Sequence, residues 1–87
     1  MSKIDFSKIV IKDINDKDCV VDIQKKLGNE MYMMGQHIVE CEVGRKIYHA
    51  TEPIELDKQE QQAVLGCLER SQYSFILRQE VEKTLKS

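Results

Sequence analysis

The residues of this chain best suited to bind a metal or attack an electrophile are three cysteines, Cys19, Cys41 and Cys67, and two histidines, His37 and His49. His37 and Cys41 stand four apart, so a helix would bring them to one face, where both could ligate zinc. A structural zinc site takes four ligands, usually in closely spaced pairs. Cys19, His49 and Cys67 form no second pair, so neither a metal nor a cofactor is expected. Cys41 with His37 or His49 is also the nearest approach to a nucleophile and its base. Glu40 and Glu42 flank Cys41, the reverse of the electropositive setting that a reactive thiolate needs. The expectation is a surface histidine beside a cysteine buried as a small hydrophobe.

The other candidate chemistries are equally thin. Glu80 and Glu82 flank Val81, so on a helix they point in different directions. Gly28, Gly35, Gly44 and Gly66 compose neither a P-loop nor a dinucleotide fingerprint. No catalytic residue, no small-molecule substrate and no enzymatic activity are expected, an enzyme without a readable motif standing as an alternative, since sites assemble in space and not in sequence. Thirteen basic residues face 15 acidic ones, and the only basic doublets, Lys25-Lys26 and Arg45-Lys46, read as solvated helix faces. Nucleic-acid binding is therefore disfavoured. Its remaining route would be a helix-turn-helix-like pair at the end of the chain, but the last helix carries Glu80 and Glu82 beside Arg78 and Lys83. The distinctive side chains are instead apolar. Met31 and Met34 are expected to fill core, while Tyr32, Met33 and Phe75 lie off the core stripes and are the candidate contact residues.

The elements that position these residues follow from patterning. Ile9-Val10-Ile11-Lys12-Asp13-Ile14 and Cys19-Val20-Val21 are rich in β-branched side chains, with turn formers at 15–18 between them. They predict a β-hairpin over about 8–21. A helix over about 22–34 follows, capped by Asp22 and striped by Ile23, Leu27, Met31 and Met34. Gly28 would permit close approach of a neighbouring backbone, and Gly35 would end the helix in a left-handed conformation. Residues 37–43 carry both strand and helix signals. Val39, Val43 and Ile47, with Tyr48 and Ala50, favour a helix over 39–49. After Pro53, Ile54-Glu55-Leu56 predicts a short third strand added to the hairpin. Asp57 with Glu60 has capping-box spacing and opens a helix over 58–70, buried through Val64, Leu65 and Leu68. A break at Ser71-Gln72 precedes a last helix over 72–86, striped by Tyr73, Leu77, Val81 and Leu85 and widened by Ile76. No internal repeat is evident. The fold class is α+β, a small antiparallel hairpin packed against about four helices.

Size and composition set the bounds. Eighty-seven residues make one domain, 1–87, with a thin core. Apolar residues at 41% and charged residues at 32% leave such a core helped by a partner surface, so a homo-oligomer is expected. Three widely spaced cysteines compose no disulfide framework, the opening Met1-Ser2-Lys3-Ile4-Asp5 has no apolar h-region, and no apolar run approaches the roughly 18 residues that span a bilayer. The expected setting is the cytoplasm, without a membrane partner.

Four segments carry a resemblance: Lys8-Ile9-Val10-Ile11-Lys12-Asp13-Ile14, Val21-Asp22-Ile23-Gln24-Lys25-Lys26-Leu27-Gly28-Asn29, Lys46-Ile47-Tyr48 and Pro53-Ile54-Glu55-Leu56. In organisation they resemble short uncharacterised proteins encoded in bacteriophage and prophage gene clusters. The likeness is one of style and brings no site residue with it. It implies an accessory or assembly factor that works by protein–protein interaction.

Overall fold

In the computed structural model, which describes residues 3–86, the first regular pairing sits near the start of the chain. Met1, Ser2 and Ser87, the ends of the expected 1–87 domain, lie outside the described residues. Strand β1 (Lys3–Ile4) pairs antiparallel with β4 (Ile54–Glu55), Ile4 opposite Ile54. Strands β2 (Ile9–Lys12) and β3 (Asp18–Val21) form the expected hairpin, with Ile9 opposite Val21 and Val10 opposite Val20. The two pairs are separate sheets. The segment 54–56 therefore does not extend the hairpin, as its sequence predicts, but joins β1. A two-residue strand is too short to show a period, which is why β1 escapes the pattern.

The hairpin is held by its turn. The Asp13 carboxylate accepts from the backbone N–H groups of Asn15 and Lys17 at 2.8 and 3.0 Å, and Asp16 takes a left-handed conformation at φ 61°. Short polar side chains tolerate that geometry. Alternation turns buried Ile9 and half-buried Ile11 and Val21 inward, and Val10 and Val20 outward.

Helices α1 (Gln24–Met34) and α2 (Ile38–Tyr48) form an antiparallel pair joined by residues 35–37. Asp22 accepts from the N–H of Gln24 at 3.1 Å, one residue outside the helical cap position. Ile23, Leu27 and Met31 are fully buried, but Met34 is 67% exposed, against expectation. It is the last residue of α1, and there the chain turns away. Gly35 makes that turn in extended conformation, φ −66° and ψ 137°, and not in the left-handed one expected. Its glycine identity answers to space: a Cβ there would lie 2.4 Å from the Met31 carbonyl oxygen.

Helix α3 (Lys58–Arg70) opens on a complete capping box. The Glu60 N–H donates to Asp57 at 2.8 Å, and the Asp57 N–H donates to Glu60 at 3.0 Å. It closes on a Schellman arrangement with Gln72 in the left-handed position at φ 58°. The Tyr73 and Gln72 N–H groups donate back to Leu68 and Glu69. That motif consumes residues 71–74, so α4 (Phe75–Lys86) begins three residues later than patterning predicts. Leu77, Val81 and Leu85 are buried and Tyr73 half-buried, as expected, while Ile76 faces solvent instead of widening the stripe. The core joins these side chains to Ile4, Phe6, Val43, Ile47, Leu56, Val64, Cys67 and Leu68. Among the described residues, four helices and two small antiparallel sheets make an α+β fold. Among the described residues, no helix is long and apolar enough to cross a membrane.

Candidate functional site

Helices α1 and α2 cross backbone to backbone at two glycines. A Cβ built on Gly28 would lie 2.8 Å from the Gly44 carbonyl oxygen and from the Tyr48 Cβ. One built on Gly44 would lie 2.7 Å from the Gly28 carbonyl oxygen and 2.8 Å from the Tyr32 nitrogen. The contacts are reciprocal, and the sequence explains why. Ile23, Leu27, Gly28, Met31 and Tyr32 recur as Val39, Val43, Gly44, Ile47 and Tyr48, each sixteen positions later. No internal repeat shows in the sequence because only these packing positions match. The side-chain bonds that close the pair also correspond. Cys41 Sγ–H donates to the Tyr32 carbonyl at 3.5 Å, and Lys25 Nζ, sixteen positions before Cys41, donates to the Tyr48 carbonyl at 2.8 Å.

With no side chain at the crossing, a groove of about 270 Å³ remains along its solvent side, floored by Gly28 and Gly44 and walled by Asn29, Tyr32, Arg45, Tyr48 and His49. The Lys25 ammonium sits 4.2 Å above the Tyr48 ring, and His49 meets that ring edge-on with centroids 5.1 Å apart. The Arg45 guanidinium has no ion-pair partner among the described residues. No carboxylate lines the groove.

Beyond Tyr32 the surface becomes apolar. Tyr32 is 51% exposed and Met33 70%, and the exposed Met34 and Ile38 follow. Phe75, the third candidate contact residue, is 63% exposed at the start of α4, with the Arg78 guanidinium 6.0 Å from its ring. Two residues earlier, Tyr73 docks on α1: its hydroxyl donates to Glu30 at 3.3 Å, and Lys26 lies 5.1 Å from its ring. Lys26, Glu30 and Met33 share one α1 face by helical spacing. Burial, and then the nearby Glu30 charge, push the Tyr73 phenol well above its usual range.

The titratable candidates read from the sequence do not assemble. His37 occupies the cap position of α2 and is exposed; His49 stands at that helix's other end. Cys41 is half-buried, not buried as expected, with its thiol on the Tyr32 carbonyl. Cys19 is half-buried on β3, and Cys67 is buried in α3, where desolvation raises its thiol pKa. Among the described residues, no group of three or more His, Cys, Asp or Glu side chains comes together to hold a metal.

One polar pair was not anticipated. Glu40, in the first turn of α2, is buried and forms a salt bridge with Arg70 at the end of α3. The arginine holds the Glu40 carboxyl below the usual carboxylate range, against the opposing effect of burial. The partners lie thirty residues apart, and no local spacing signals the pair. Comparison with known proteins finds no matching family model, no similar curated protein and no similar solved structure.

Proposed function

We propose that this chain is a non-enzymatic protein-interaction module that self-associates through the apolar edge formed by Tyr32 and Met33, with Phe75 contributing from the start of α4. The observation that carries the reading is the run of exposed apolar side chains at one end of the α1–α2 pair, Tyr32, Met33, Met34 and Ile38. Scattered exposed apolar residues need no explanation, but contiguous ones mark interaction sites.

In this reading the protein acts in the cytoplasm as an accessory or assembly factor of a phage or mobile element, a role that needs binding surfaces and no chemistry. Light scattering coupled to gel filtration tests it. At high micromolar concentration the wild type runs at twice 10.1 kDa, and the double variant Met33→Glu/Phe75→Glu runs as a monomer with unchanged circular dichroism. A wild type that stays strictly monomeric refutes self-association.

A further inference from the structure

We infer that the groove over the Gly28–Gly44 crossing receives an acidic, partly apolar segment of a second protein, beside the self-associating edge and sharing Tyr32 with it. The argument starts from charge. The chain as a whole is net acidic, at −2, yet the charged and titratable groups on this groove are Arg45, His49 and, on the Tyr48 ring, Lys25. A lining of one sign on a protein of the opposite net sign selects an anionic partner. Arg45 is free to take a carboxylate with two parallel hydrogen bonds, since none of the described carboxylates engages it.

The groove is also graded along its length. The end near Lys25, Tyr48 and His49 is cationic, whereas the end near Tyr32 leads to Met33. A partner segment would therefore place its carboxylates over Arg45 and Lys25 and its apolar side chains over Tyr32. Tyrosine and arginine are the residue types that anchor such contacts. A nucleic acid would need a longer track of cations than Arg45 and Lys25 to neutralise successive phosphates.

The inference rests on reading the chain as an interaction module, but not on its self-association. A fluorescein-labelled peptide alternating pairs of glutamates with leucine and phenylalanine serves as the probe, followed by fluorescence anisotropy. Saturable binding is expected, weakened about tenfold or more by Arg45→Glu and lost when the glutamates are replaced by glutamines. Asn29→Arg, which places a second guanidinium at the position matching Arg45 on α1, should tighten binding several-fold. It keeps the test decisive should Arg45→Glu perturb folding. Three results would overturn the inference: equal binding of the glutamine peptide, comparable binding of labelled oligothymidylate, or no binding of either peptide. A fourth, loss of dimerisation by Arg45→Glu without peptide, would assign the groove to a second copy. Light scattering on the same samples separates these outcomes from a failure of self-association, which would leave the peptide result standing.

Discussion

Replacing a helical glycine by alanine ordinarily stabilises, by about 1 kcal/mol, because alanine restricts the unfolded chain. At the α1–α2 crossing the sign should reverse. The new methyl group of Gly44→Ala would stand 2.7 Å from the Gly28 carbonyl oxygen and 2.8 Å from the Tyr32 nitrogen. Both obstacles are backbone, so no side chain can rotate aside, and the helices must part by roughly 0.5–1 Å to restore ordinary contact. Overpacking of this kind costs about 1–3 kcal/mol. Set against the propensity gain, a net loss of up to ~2 kcal/mol remains, a fall in Tm of up to roughly 16 °C for a chain of this size. Gly28→Ala meets equally close atoms and should behave alike. Because one separation of the helices admits both methyl groups, the double variant should lose less than the sum of the two. Gly66, in the middle of α3, is the internal control: a Cβ there meets nothing within 4 Å. Gly66→Ala should raise Tm by about 4–8 °C. Thermal unfolding of the four variants by circular dichroism decides the matter. A Gly44→Ala protein stabilised as much as Gly66→Ala would show that the crossing is not tight.

Three further expectations follow from the packing. Arg70→Met leaves the buried Glu40 carboxylate without its partner. Since Arg70 is itself 42% exposed and solvent weakens the pair, the loss at neutral pH should be about 1–2 kcal/mol. Glu40 is depressed in the native wild type, so its contribution is present above the unfolded carboxyl pKa of ~4.3 and disappears as pH falls through the native value. The gap between wild type and Arg70→Met in urea unfolding should therefore narrow on acidification; a gap independent of pH would refute the pairing. Asp57→Ala removes half of the α3 capping box and should cost about 0.5–2 kcal/mol, read as a lower urea midpoint, and an unchanged midpoint would deny the cap any role. Cys67, buried and with its thiol pKa raised, should react with a thiol reagent only on unfolding, as peptide mapping of the labelled sites would reveal; rapid native labelling at this position would contradict its burial.

How much of this was legible before folding depends on the length scale of each signal. The 58–70 helix was read to the residue, because Asp57 and Glu60 bracket a local hydrogen-bond exchange that spacing alone reveals. The hairpin was legible from its β-branched runs, and the ambiguous 37–43 segment proved helical from Ile38 onward because Val43 and Ile47 bury on one face. The left-handed Gln72 was hidden, since nothing in a glutamine announces that conformation. Pairing of β1 with β4 and of Glu40 with Arg70 was equally hidden, for these contacts join distant segments through the core. Of the candidate contact residues, Tyr32, Met33 and Phe75 were all found exposed, because a residue off a helical stripe has nowhere else to go. The groove beside Tyr32 escaped notice. Its signal, the sixteen-residue recurrence of Gly-x-x-x-Tyr, is too short to read as a repeat until the two helices are seen to cross.

Under the proposed self-association, a second copy settles on the Tyr32–Met33 edge. Methyl NMR of the methionines, recorded from low micromolar to millimolar protein, is the direct test, because Met33 lies on the surface while Met31, two residues before it on the opposite side of α1, is fully buried. The Met33 methyl signal should move progressively with concentration while that of Met31 stays in place. A Met33 signal that does not shift across the series would contradict it.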